Sequence, residues 1–218
     1  MARDRYARPA GRYDLFVEPL VRWLRTIGLQ MSPPHAGASV LDIGCGTGTH
    51  LRMYREAGCR VFGIDLSPAM LKGAQAKLGG RAALHLGEGS RMPFADESFD
   101  LIVAMLLFHE MPTRLRAPIM GEAKRVMKRD GRFLIVDYHP GAIRFPEGWL
   151  SKIIITCMEF VAGPDHFRNY RRFMANRGLT PLIAESGLAI HRKKVMGGGA
   201  IGLYLLRSDR VNSPSVCP

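Results

Sequence analysis

The stretch Asp42-Ile43-Gly44-Cys45-Gly46-Thr47-Gly48 follows an apolar run and precedes a helical pattern. Glycines at this spacing allow backbone angles, and a close ligand approach, that a Cβ would block. A nucleotide-like ligand could then meet the backbone N–H groups where the following helix begins. By itself the loop also reads as a tight turn. Asp65 sharpens it, ending the next apolar run, Val61-Phe62-Gly63-Ile64-Asp65-Leu66-Ser67. It stands about 20 positions beyond the glycines, where a carboxylate can hold a ribose diol. The alternative for Asp65 is a helix-capping aspartate beside Ser67. The loop spacing is GxGxG, not the GxGxxG of dinucleotide binders, which disfavours a nicotinamide dehydrogenase.

A second set of reactive side chains follows two later apolar runs: His109 and Glu110, then Tyr138 and His139. Open α/β sheets bind ligands at this carboxyl edge. All four are candidates for touching a substrate, and any could serve as the general base that a reaction needs when its acceptor must lose a proton. His109-Glu110 also reads as a polar helix start or loop anchor, and His139-Pro140 as a turn. Together with His166 they raise the question of a metal. Their spacing matches no HExxH or comparable ligand pattern, so no metal is expected.

These residues need a parallel sheet to position them, and the chain supplies its signature, apolar runs alternating with helical patterns. Strands are expected at Ser39 to Ile43, Arg60 to Ile64, Ala83 to Leu86, Phe99 to Met105 and Arg132 to Val136, the last preceded by a turn at Asp130-Gly131. Helices are expected at Thr47 to Ala57, from Pro68 to about Leu78 with Ser67 as N-cap, and at Thr113 to Met127. Two final strands, Leu188 to Val195 and Ala200 to Leu206, flank Gly197-Gly198-Gly199 and read as a hairpin. Between them and the sheet lies a helical insertion, 141–187. Its apolar stretch Trp149 to Val161 reads as core, as a lid over an apolar acceptor pocket, or as a face touching a membrane. His166, Arg168, Asn169, Tyr170 and Arg171 beyond it could bind a polar group or simply form a solvated helix face.

The 218 residues suffice for one domain with a buried core, taken as 1–208 with a helical cap over 1–36 and a loose tail at 209–218. Net charge is +12, which can attract nucleic acid, anionic lipid or an acidic substrate, or serve solubility alone. The basic residues are spread out and form no aromatic-interleaved stripe of the kind that stacks bases. Cys45, Cys59, Cys157 and Cys217 form no CxxC pair and read as free thiols of a reducing compartment. No apolar run is long enough for a transmembrane helix. With arginines in place of a signal-peptide core at the N-terminus, a cytoplasmic location is expected.

The ordered motifs resemble the class I S-adenosylmethionine-dependent methyltransferases, in the ubiquinone and menaquinone C-methyltransferase-like branch. The resemblance runs from Tyr13 to Asp137, with a weaker continuation to Leu206. It rests on the Asp42–Gly48 loop, the Gly63–Met70 segment, Gly87-Glu88-Gly89-Ser90-Arg91-Met92-Pro93-Phe94, and Glu122 through Arg132. It implies a Rossmann-like fold with a seven-stranded, mostly parallel sheet, helices on both faces and the antiparallel C-terminal hairpin. S-adenosyl-L-methionine is the implied cofactor. Asp42 with Gly44, Cys45 and Gly46 would face its methionine end, Asp65 its ribose and Leu66 its adenine. Glu88 stands where relatives usually have Asp, with Gly89 and Ser90 bordering the adenine. Met105 would lie near the reactive end, and Tyr13 would close over the cofactor. Methyl transfer is a displacement at carbon, so the protein mainly aligns the reactants and excludes water. The implied partner is a small, apolar or amphipathic methyl acceptor, such as a quinone precursor or a lipid. Peripheral membrane contact stays open. A nucleic-acid methyltransferase is disfavoured because the Asp/Asn-Pro-Pro-aromatic motif is absent. A cofactor-binding protein without turnover is the remaining alternative.

Overall fold

The two most apolar runs occupy the middle of a seven-stranded sheet, where both faces are covered. A computed structural model describes residues 18–208, so residues 1–17 of the proposed N-terminal cap, Tyr13 among them, and the tail at 209–218 lie outside the described residues. The order of elements is α1 (Glu18–Met31), β1 (Ser39–Ile43), α2 (Thr49–Glu56), β2 (Arg60–Asp65), α3 (Pro68–Leu78), β3 (Ala82–Leu86), β4 (Phe99–Met105), α4 (Thr113–Val126) and β5 (Met127–Tyr138). Then come α5 (Glu147–Val161), α6 (Pro164–Ala175), α7 (Thr180–Ser186), β6 (Leu188–Met196) and β7 (Ile201–Ser208). The strands lie in the order β3-β2-β1-β4-β5-β7-β6. The first five are parallel, and β7 runs antiparallel to both β5 and β6. The glycine-separated hairpin expected from sequence is present, joined by a 3-10 turn over Gly197–Gly199.

Period-two alternation sends successive side chains to opposite faces and so makes two cores. Leu41, Ile43, Ile102, Ala104, Phe133 and Ile135 point to one, where Ile119 and Met120 of α4 and Phe173 of α6 cover them. Val40, Leu101, Val103, Leu134 and Val136 point to the other, covered by Leu24 of α1 and by Leu51 and Tyr54 of α2. The order in which successive strands are laid down reverses between β1 and β4, although the two strands are parallel. A crevice opens there at the carboxyl ends of both strands, where doubly wound sheets hold ligands.

Helix α3 starts as its sequence says it should. The Ser67 hydroxyl accepts a hydrogen bond from Met70 N at 3.2 Å, Pro68 fills the first turn, and Gly79 closes the helix in the left-handed region. The helix after the glycine loop begins two residues later than expected, at Thr49, because Gly48 takes a left-handed conformation, φ 74°, at its N-cap. One expectation fails. Asp130-Gly131 is not a turn before a short strand, since β5 is continuous from Met127 to Tyr138. Phe99 pairs with Met127 but Leu101 pairs with Arg132, so β5 absorbs the surplus residues in a bulge within the strand. Asp-Gly favours a turn locally, but the pairing of β5 with β4 keeps the segment in the sheet.

Candidate active site

The loop after β1 is pinned to the end of β2. Gly44 N and Cys45 N both donate to Ile64 O, at 2.8 and 3.2 Å. Gly44 and Gly46 have φ of 71° and 52°, the left-handed region where a side chain would be strained. Asp65 completes the clamp: its Oδ2 accepts from Gly46 N and its Oδ1 from Ser67 N, each at 2.8 Å. The cap of α3 is therefore Ser67, and the Asp65 carboxylate fastens the glycine loop to the start of α3.

A cavity of about 600 Å³ lies over this clamp. Gly44, Gly46, Asp65, Leu66, Glu88, Gly89, Ser90 and Met105, all expected at a cofactor, line it. Leu66 is 62% exposed at its wall, an apolar surface waiting for a partner. The Ser90 hydroxyl donates to Glu88 Oε2 at 3.1 Å, so the longer Glu is braced by its neighbour. The Glu88–Phe94 segment is held from below: Glu122 accepts from Met92 N at 2.7 Å, while Arg125 donates to Phe94 O at 2.8 Å and to Met92 O at 3.2 Å. The 122–132 motif thus acts on the cavity only through the segment it fastens.

Two residues expected at the cofactor do not line the cavity. Asp42 shares its face of β1 with Val40, beneath the loop, and is 3% exposed. Burial pushes its carboxyl up to about 8, against the opposing pull of Arg25, with Asp65 adding to the rise. His50, also buried beneath the loop, is pushed down to about 3 by burial and by Arg25, and so is neutral. Cys45 turns its thiol toward β2, where burial holds its pKa well above the ordinary range. A Cβ at Gly63 would stand 2.7 Å from that sulfur, 2.9 Å from Leu51 Cδ1 and 3.0 Å from Leu84 Cδ2. We therefore expect Gly63→Ala to cost about 1–3 kcal/mol by overpacking. Urea unfolding checks this, and unchanged stability would show that Cys45 has room to move.

The far end of the cavity is apolar and then ionic. Leu106, Leu107, Met111, Leu115 and Ile119 form its walls, and Glu110, Asp165, His166, Arg168, Asn169 and Arg172 its polar rim. Leu106 takes φ 54°, a strained value for a branched side chain, at the bend where β4 passes into this wall. Behind the rim runs a chain of acids and bases. Asp137, fully buried at the end of β5, meets His109 Nδ1 at 2.8 Å. His109 Nε2 lies 3.3 Å from Glu159 Oε1, His166 Nδ1 3.2 Å from Glu159 Oε2, and His166 Nε2 3.0 Å from Glu110 Oε2. The Tyr138 hydroxyl donates to Glu159 at 2.9 Å. Burial by itself would lower both imidazoles, but the carboxylates override it. Asp137 and Glu159 hold His109 up at about 10, and Glu110 and Glu159 hold His166 up at about 9. Burial would raise Glu159, yet the two histidines bring it down to about 2. The ligating atoms of His109, Glu159 and His166 lie within 4.8 Å of one another, close enough to share one divalent ion.

Of the residues expected to act on substrate, only Glu110 lines the cavity. His109 and Tyr138 stand one step behind it. His139 follows the end of β5, where its Nδ1 meets the Tyr204 hydroxyl of β7 at 2.9 Å, and it does not line the cavity. Glu159 and Asp137 were missed as members of the site. Glu159 had a signal, being the acid that interrupts the apolar stretch Trp149–Val161.

This fold and glycine-lined cavity have clear relatives. A methyltransferase domain model matches residues 41–135. A demethylmenaquinone methyltransferase from Thermobifida fusca is 30% identical, over 92% of each chain. A malonyl-[acyl-carrier protein] O-methyltransferase from Serratia marcescens is 33% identical over 64% of this chain, which spans about half (53%) of that relative. The methyltransferase in complex with its Trm112 activator from Haloferax volcanii shares the fold, with a TM-score of 0.70 at 19% identity, over 95% of this chain and 99% of that one. The chain belongs to the class I S-adenosylmethionine-dependent methyltransferases. Within them it falls in the quinone methyltransferase-like branch, and its cofactor is S-adenosylmethionine. The cradle fits that cofactor. Gly46 lines the cavity, and a Cβ there would meet no protein atom within 4 Å, so it would project into open space beside the clamp where bare backbone now leaves room for a ligand.

Proposed function

We propose that this enzyme methylates a small apolar or amphipathic acceptor of quinol or lipid type, held between the walls of Leu106, Leu107, Met111, Leu115 and Ile119. The observation that carries the reading is the single cavity that joins the glycine cradle to this apolar end and finishes at Glu110 and His166. S-adenosylmethionine supplies, when bound, a methyl group on a cationic sulfur. Gly44, Gly46, Asp65, Leu66, Glu88, Gly89, Ser90 and Met105 would hold it; Asp42 and Cys45 would support the loop from beneath. Asp165 to Arg172 of α6 cover the acceptor end and exclude water, the role of a lid.

Glu110 is placed to take a proton from an acceptor hydroxyl or ring carbon, and the protonated His166 beside it holds that carboxylate in place. His109, Glu159 and Asp137 behind them fix the orientation of His166 and spread the charge. In this reading Tyr138 is a positioning residue for Glu159, and His139 has no part. The name of the Thermobifida fusca relative supports a quinol-type acceptor. The test is transfer of a labelled methyl group to a panel of demethylated quinols, fatty acids and malonyl thioesters. Turnover of apolar members is expected, and turnover confined to highly polar acceptors would sink the proposal. Glu110→Gln is expected to lower kcat about 100-fold or more, with cofactor affinity unchanged. An unchanged kcat would mean that no proton leaves through this rim.

A further inference from the structure

Helix α5 buries one side and leaves an apolar side uncovered. Its buried side, carrying Gly148, Ile155 and Glu159, packs on the domain. Its other side exposes Trp149, Leu150, Ile153, Ile154, Phe160 and Val161, with Phe160 69% and Val161 84% accessible. At 100° per residue these six fall within an arc of about 140°, centred opposite the buried side. Phe145, 83% exposed, extends the patch before the helix begins. A continuous apolar face of this kind marks an interaction surface.

Charge says what covers it. Arg144 is exposed at its start, and beyond its end Arg168, Arg171 and Arg172 of α6 surround a hollow that also contains Phe160 and Phe167. The acids at its borders are few: Glu147 at the helix start and Asp165, which is paired with Arg168. A second copy docked about a two-fold axis would bring an arginine cluster against another or against Arg144, placing like charges together. An anionic lipid surface accepts both halves, with apolar side chains among the acyl chains and arginines at the phosphates. At 15 residues α5 is about 22 Å long, short of the hydrocarbon thickness, so it would lie in the plane of the surface.

Position adds a reason for such docking. Arg168 and Arg172 line both the hollow beside Phe160 and the cofactor cavity, so the apolar face abuts the cavity mouth. We propose that the exposed face of α5, flanked by Arg144, Arg168, Arg171 and Arg172, docks this enzyme on an anionic lipid surface with the cavity mouth beside the bilayer. The docking stands on this face alone. That an acceptor enters from the lipid rests on the apolar-acceptor reading above.

Trp149 is a built-in reporter. In a Trp23→Phe background, its emission should shift to the blue with vesicles of phosphatidylcholine and phosphatidylglycerol, and brominated acyl chains should quench it. Pure phosphatidylcholine should give little of either, and added salt should weaken co-sedimentation. Ile153→Asp should abolish the quenching, and Arg171→Glu should weaken vesicle affinity more than about fivefold. Both variants should still bind S-adenosylmethionine in calorimetry, which shows that they are folded. Vesicle binding that leaves Trp149 unquenched and ignores Ile153→Asp would be charge adsorption alone, and would overturn the proposal. So would a doubled mass without lipid in which Trp149 is shielded. Docking without methylation of any lipid-dissolved acceptor would overturn the acceptor reading and leave the surface standing.

Discussion

Replacing Asp65 by alanine is expected to weaken S-adenosylmethionine binding about 10- to 150-fold, the range for losing a hydrogen bond to a charged group, about 1.5–3 kcal/mol. The structure gives this substitution two consequences. It removes the carboxylate from the cavity wall, and it frees Gly46 N and Ser67 N from their shared acceptor. The second loosens the glycine loop without any ligand, so the melting temperature should fall as well. Asp65→Asn separates the two. The amide keeps the shape and can still accept from one backbone N–H, but it presents no charge to a diol. If the carboxylate meets the ribose, Asn should recover part of the thermal stability and little of the affinity. Calorimetry beside a thermal scan reads both. Full affinity in Asp65→Ala would reduce the residue to a fastener of the loop.

The second large effect concerns Glu159, buried between two imidazoles. Glu159→Ala should cost about 3–5 kcal/mol of stability, because it strands His109 and His166 beside each other without their common carboxylate. The pH dependence has a definite sign. Both histidines hold protons more tightly in the folded chain than at their ordinary value near 6.5, so their contribution is full below pH 6.5. It is lost as pH rises toward 9 and 10, where the folded groups titrate. Glu159 behaves in the opposite sense: its contribution is full above its ordinary value of 4.5 and is lost as pH falls toward 2. These three groups therefore favour the fold most between about pH 4.5 and 6.5. Urea unfolding at pH 6 and pH 9 should show the wild type losing stability over this interval, and Glu159→Ala losing much less of it. Equal losses in both proteins would mean that the chain of acids and bases does not titrate as a unit.

Much of the cofactor side of this protein could be read in one dimension. Strand, glycine loop, helix and the acidic end of the next strand are neighbours in sequence. Their local geometry follows from glycine's freedom and from Ser67 capping a helix behind Pro68. Even so, Asp42 does not line the cavity. One-residue alternation along β1 sends it beneath the loop while Leu41 and Ile43 go to the other face. Tyr138 and His139, adjacent in sequence, bond different partners, Glu159 and Tyr204, that lie far along the chain. The bulge at Asp130-Gly131 escaped for a related reason: two residues signalled a turn, and pairing with β4 on either side of them, at Met127 and from Arg132 onward, overrode them.

The acceptor side could not be read in this way. Glu110 follows β4, Asp137 ends β5, Glu159 sits near the end of α5 and His166 lies in the first turns of α6. No spacing rule joins residues contributed by separate elements, and metal-ligand motifs such as HExxH are by nature local. Only the packing of α5 and α6 over the carboxyl edge of the sheet brings them within hydrogen-bond distance. The sequence by itself determined the sheet, the cofactor and most of the residues that line the cavity over the glycine loop, because those depend on short-range backbone geometry. The tertiary structure decided which acids and bases meet and which face of α5 remains uncovered, because both depend on long-range contacts that a linear pattern does not contain.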